Sequence, residues 1–186
     1  STWESSSDDI TYHSATLTPD NNASAIKIRN GHTVTISASV TVDQVAIESG
    51  GVLNFNAGTL TVSNGIGDDI VVQNGGVFIL SQASTIPSFN TGATASIYGG
   101  GILRVSVTGI TGAGAGVNSS TFVYQNGSIL EYTSTSTFSS SGVTFFPNAD
   151  ASTVPIFRIT ALTASPGASG QTIINGKIEA NSSFTW

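Results

Sequence analysis

A glycine set between two short apolar runs returns along this chain at a nearly constant interval, and few folds accept such a sequence. The clearest copy is Ile70-Val71-Val72-Gln73-Asn74-Gly75-Gly76-Val77-Phe78-Ile79-Leu80; close copies span 26–36, 45–55, 95–105 and 122–132, with a shorter one at 173–178. The reference glycines are Gly31, Gly50, Gly75, Gly100, Gly127 and Gly176, separated by 19, 25, 25, 27 and 49 residues. A fixed period of roughly 20–50 residues marks a stacked coil, a propeller or an array. The last interval is close to twice 25, which predicts a degenerate copy within 147–160.

Alternate residues of a strand share a face. Counted from the reference glycine, positions −5 and −3 hold Ile26/Ile28, Val45/Ile47, Ile70/Val72, Ala95/Ile97 and Phe122/Tyr124. Positions +3 and +5 hold Val34/Ile36, Leu53/Phe55, Phe78/Leu80, Leu103/Val105 and Leu130/Tyr132. These rows are the expected core. Position −2 (Arg29, Glu48, Gln73, Tyr98, Gln125) and position +4 (Thr35, Asn54, Ile79, Arg104, Glu131) are expected to face solvent. Stacking in register sets Arg29 beside Glu48 and Arg104 beside Glu131.

Two architectures accept this pattern. Asn-Gly between apolar runs is a strong hairpin signal through a type I′ turn, and six hairpins build an antiparallel sandwich or barrel. Hairpins, however, do not require constant spacing, and further strand-like pieces follow the copies at 58–62 and 143–146. Short strands joined by bends in the left-handed region are what a parallel β-helix needs. The predicted fold is therefore all-β, a parallel solenoid of about six or seven turns. Residues 1–25 form its N-terminal cap, and 26–186 its repeats, expected to continue in a longer protein. Trp3 or Tyr12 is expected to lie over the first coil, and 161–170, rich in Ala, Ser, Pro and Gly, to bulge as a loop.

Charged residues make up only 9% of the chain, while Ser (28), Thr (24) and Gly (21) are abundant, so hydroxyls and amides must cover much of the surface. Net charge is −6 with five basic residues, Lys27, Arg29, Arg104, Arg158 and Lys177. A nucleic-acid backbone needs a basic stripe, so such a partner is disfavoured. No apolar run reaches membrane-spanning length, and no membrane insertion is expected. The absence of cysteine excludes disulfides and thiol chemistry. Low charge with high Ser, Thr and Gly favours an extracellular or cell-surface location.

The stretch Asn-Gly-His-Thr-Val-Thr-Ile…Val-Ala-Ile-Glu-Ser-Gly-Gly-Val-Leu-Asn-Phe (30–55) resembles the repeat regions of large secreted and surface proteins of Bacteroidetes-type bacteria. It is also distantly similar to the glycine-punctuated G8 module of extracellular proteins. The resemblance covers about 26–132 and is carried by structural glycines and apolar rows. It implies a right-handed parallel β-helix, an outside location, and roles in adhesion, polysaccharide contact or spacing. It supplies no catalytic residue.

Asp68 and Asp69 close the Gly-rich bend 64–69. Two adjacent carboxylates there can supply oxygen ligands to Ca²⁺; the plainer reading is that Asp68 caps a turn. Asp8-Asp9 carries the same suggestion more weakly, and no other cofactor is expected. His13 and His32 have no neighbouring nucleophile motif, which disfavours a triad. The outward residues Glu48, Gln73, Tyr98, Arg104, Gln125 and Glu131 combine amides, one aromatic ring and charges, a set that suits sugar hydroxyls better than bond cleavage. The Gly-rich run 112–116 has no Lys and reads as a bend.

The expected function is a non-catalytic structural or adhesive module of a bacterial surface or secreted protein. The alternative is a carbohydrate-binding module or polysaccharide-active β-helix protein. Polysaccharides, other surface proteins and further copies of the chain are the expected partners. Two lesser alternatives are a filament joined through strand edges and an ice-binding face. The second requires Thr at every turn, which the +4 row lacks.

Overall fold

The computed structural model describes residues 3–81, 87–106, 109–111, 121–133, 139–141, 153–160, 167–168 and 176–180. Among these residues every regular element is a strand. An antiparallel pair, β1 (Glu4–Ser5) and β2 (His13–Ser14), comes first. The chain then runs in laps: β3 (Ile26–Ile28), β4 (Thr33–Ile36) and β5 (Val40–Val42); then β6 (Val45–Ile47), β7 (Val52–Phe55) and β8 (Leu60–Val62). Next come β9 (Ile70–Val72), β10 (Val77–Leu80) and β11 (Ser88–Phe89), followed by β12 (Ala95–Ile97), β13 (Ile102–Val105) and β14 (Gly109–Thr111). The series closes with β15 (Phe122–Tyr124), β16 (Ile129–Tyr132), β17 (Ser139–Ser141), β18 (Ile156–Ile159), β19 (Gly167–Ala168) and β20 (Lys177–Ala180).

Each strand pairs with its counterpart one lap away. The order β3-β6-β9-β12-β15 makes one sheet and β4-β7-β10-β13-β16-β18-β20 a second, with smaller sheets β5-β8-β11 and β14-β17-β19. Every pairing in these sheets is parallel. The protein is a β-solenoid, and the antiparallel alternative is overturned.

The corner geometry shows why. His32, Gly51, Gly76, Gly101 and Ser128 each donate a backbone N–H to the carbonyl three residues back, at 2.8–3.1 Å. The reference glycine is third in each of these β-turns, with φ between 75° and 78°. A type I′ hairpin needs positive φ at both central residues, whereas a type II turn needs it at the third alone. Asp9 and Gln44 are the described non-glycine residues with positive φ, so Asn30, Asn74 and Asn126 do not meet the hairpin condition. The Asn-Gly pair therefore turns the chain from one sheet into the next. Gly50, Gly75 and Gly100 also donate N–H groups to the corner carbonyl of the following lap at 2.9–3.0 Å, so the ladder runs unbroken through the bend.

The apolar rows fill the interior as their alternation predicts. Phe55, Phe78, Phe89, Phe157 and Tyr132 are the largest fully buried side chains, with Ile28, Ile47, Leu60, Ile70 and Leu80 among them. Phe89 and Phe122 meet edge to face, with centroids 5.5 Å apart. Each such side chain contributes about 1.5–3 kcal/mol through removal from water, which makes these stripes the main source of stability.

Lap length varies while register holds. The return from β5 to β6 uses residues 43–44, and the return from β8 to β9 uses 63–69, yet Val45 pairs with Ile70 and Val52 with Val77.

The degenerate copy expected within 147–160 is β18, which pairs parallel with β16 and β20. Gly176 is not a corner glycine, contrary to the spacing argument. Lys177 pairs with Ile156 and Ile156 with Ile129, so Gly176 shares the row of Pro155 and Ser128, one residue beyond the corner. The segment read as a loop contains β19, which pairs with β17. The rest of 161–170, along with 112–116 and 143–146, lies outside the described residues.

At the N-terminal end Trp3 packs against the core. Arg29 does not pair with Glu48. Its Nη2 donates to Glu4 Oε2 at 2.7 Å, and its guanidinium lies 4.4 Å from the centre of the Tyr12 ring. Lys27 pairs with Asp9. An ion pair plus a cation–π contact outweighs a single exposed pair with a neighbouring lap.

Candidate functional site

The residues at −2 open each corner turn, so their carbonyls are committed to the turn while their side chains point outward. Gln73 and Gln125 are exposed, Glu48 is half-buried, and Tyr98 retains 40% of its surface. The Tyr98 hydroxyl donates to Asp68 Oδ2 at 3.1 Å, and the carboxylate beside it raises the phenol above its ordinary range. This rim holds an aromatic ring with a fixed hydroxyl between flanking amides.

Arg104 and Glu131 are not part of that rim. They stand at +4 on the outer face of the larger sheet, within a ladder that extends beyond the two residues the sequence suggested. Arg104 Nε lies 2.5 Å from Glu131 Oε2, Arg158 Nη1 lies 3.6 Å from Glu131 Oε1, and Arg158 Nε lies 2.9 Å from Glu179 Oε2. Lys177 Nζ reaches Glu179 Oε1 at 2.8 Å, and Lys177 and Arg158 together hold the Glu179 carboxyl below its usual range. Glu131 was expected to face solvent but is only 6% exposed, because an arginine stands on the adjoining strand on either side. These groups satisfy one another.

A row of hydroxyls borders the same sheet. Ser106, Thr133 and Thr160 donate to the carbonyls of Leu80, Val105 and Tyr132 at 3.2–3.4 Å, and Ser81 donates to Asn54 Oδ1 at 2.6 Å. On the third sheet Thr41, Thr61 and Ser88 align across successive strands. Thr therefore stacks on a face other than the +4 row, and only over a short span.

Asp68 and Asp69 diverge. Asp68 turns out to Tyr98. Asp69 is fully buried, its Oδ1 accepting the Gly65 N–H at 2.6 Å and its Oδ2 the Thr94 N–H at 2.8 Å. Asp69, not Asp68, is the turn-capping residue, and it is a structural acceptor rather than an ion ligand. Among the described residues no group of three or more His, Asp or Glu side chains is placed to hold a metal ion. At the other acidic pair, Asp8 accepts N–H groups from Ile10 and Thr11 at 2.9 and 2.8 Å, and Asp9 binds Lys27.

Sequence reasoning missed Asp43, Arg158, Lys177 and Glu179. The last three are readable once Ile156-Phe157-Arg158-Ile159 is laid in the +2 to +5 rows, although no glycine announces that lap. His13 and His32 are both exposed and occupy separate elements, β2 and the first corner.

Fold and site together define a parallel β-solenoid with a polar, self-paired outer surface. No protein-family model matches the chain, and no curated protein or solved structure shows significant similarity to it.

Proposed function

We propose that this chain is a non-catalytic structural or adhesive module of a bacterial surface or secreted protein, coiled as a right-handed β-helix of six or seven turns. The observation that carries this reading is the engagement of the outer charges with one another, in the ladder from Arg104 through Glu131 and Arg158 to Glu179. Charges spent on neighbouring laps stiffen a rod and leave no poised acid–base pair of the kind that glycoside hydrolysis needs. The likeness of 26–132 to bacterial surface repeats and the low charged fraction, 9%, support the same reading.

A second reading, carbohydrate binding, is favoured by one feature. Tyr98 offers an exposed ring whose hydroxyl is held by Asp68 between Gln73 and Gln125. A glycan array probed with wild type, Tyr98→Ala and Arg104→Ala separates the two. Silence across the array supports the scaffold. Binding that Tyr98→Ala abolishes and Arg104→Ala preserves replaces it with the sugar-binding reading.

A further inference from the structure

The corner that joins β5 to β6 contains a polar arrangement that the proposed role does not use. Asp69 is fully buried, and both its oxygens already accept backbone N–H groups. Asp43, one lap earlier, brings its carboxyl into hydrogen-bonding reach of Asp69, and its Oδ1 is shut off from water with no donor. Gly65 is wedged between them. Its N–H goes to Asp69, and a Cβ on it would stand 2.6 Å from Asp43 Oδ2. Two acceptors thus face each other in a confined site, and a proton on one of them is the donor that would complete the contact.

We propose that a proton shared between Asp43 and Asp69 latches the loop 64–69 onto the preceding corner, and that rising pH releases it. The loop has two further ties. Gln44 Nε2 donates to the Ile66 carbonyl at 3.1 Å, and Asp68 accepts from Tyr98. Between them the loop lifts Ile66 almost wholly into solvent, at 92% exposure. The charged group facing Asp43 is Asp69. Asp68 turns away, and the other side chains of the corner, Gln44 and Thr94, do not ionise in this range. Desolvation first, and the Asp69 charge second, raise the Asp43 carboxyl above its ordinary 3.8. A raised folded-state value means stability that is fully present below the unfolded value and lost as pH climbs through the folded one.

The test is a carboxyl-carbon NMR titration of Asp43 in the intact chain, with thermal unfolding of wild type and Asp43→Asn across the same pH range. An amide supplies the donor permanently and removes the repulsion. Asp43 is expected to titrate above 3.8, with amide shifts at Gly65 and Thr94 following the same curve. Asp43→Asn is expected to flatten the loss of melting temperature with rising pH and to melt higher at neutrality. An Asp43 that titrates at or below the ordinary value overturns the latch, as does an Asp43→Asn curve parallel to wild type. A melting temperature raised by millimolar Ca²⁺ in wild type but not in the variant overturns it in favour of a cation. If the variant fails to fold, the wild-type titration alone decides.

Discussion

Arg104 Nε and Glu131 Oε2 meet at 2.5 Å across two adjacent parallel strands, and the carboxylate they share with Arg158 is almost closed to water. Like-with-like stacking puts every outward side chain next to its counterpart one lap away, so opposite charges in one row must pair. Glu131 is the centre of this row, with a cation on either side.

Removing that centre is expected to cost more than removing a flank. Glu131→Gln leaves two guanidinium groups facing each other, and about 1–3 kcal/mol of stability is expected to be lost. Arg104→Ala, at the half-exposed end, should cost about 1 kcal/mol or less. Urea unfolding of both variants and the double variant gives the coupling directly. A Glu131→Gln midpoint equal to wild type would show that the ladder is decorative.

Two glycines separate steric from conformational demand. Gly101 lies under the preceding lap, where a Cβ would stand 2.5 Å from the Val72 carbonyl and 3.0 Å from those of Gln73 and Tyr98. Those oxygens are backbone and cannot turn aside, so Gly101→Ala is expected to cost about 3 kcal/mol. Gly31 has φ of +77° but nothing within 4 Å of a Cβ, so Gly31→Ala should cost only the left-handed penalty, about 1–2 kcal/mol. Chemical denaturation of the two variants gives the order, and the reverse order would contradict the tight stacking at the corner.

Asp8 is expected to stay ionised well into acid. Backbone N–H groups of Thr11 and Ile10, with the Ser6 hydroxyl, lower its carboxyl from 3.8 to about 2. A depressed folded-state value means that its contribution is present above 3.8 and is lost as pH falls toward about 2. Proton-detected titration of Asp8, with hydrogen exchange at Ile10 and Thr11 in Asp8→Ala, checks this. Exchange unchanged by the substitution would show that the carboxylate does not order the segment.

The core was legible because its signal is periodic. Ile47, Val72, Ile97 and Tyr124 occupy one buried row, and a period-two alternation repeated at fixed spacing leaves little choice of facing. The corner was ambiguous, since Asn74-Gly75 suits a type I′ or a type II turn equally and only the φ of the asparagine decides. Charge pairing was legible where partners fall in registered strands, as with Arg104 and Glu131. It failed at Arg29, where Glu4 and Tyr12 arrive from a segment with no repeat. The rim around Tyr98 was half legible: the row could be read, but its separation from Arg104 depends on which sheet follows the bend. Asp43 left no trace in the sequence, because its partner is set by the unequal lengths of two returns.

That inequality has a practical side. The returns 43–44 and 63–69 differ in length, yet the strands after them stay aligned. One flank of the rod thus tolerates insertions, while the glycine corners tolerate none. Grafted peptides, epitopes or tags belong on that flank, and natural variants of this chain should differ there first.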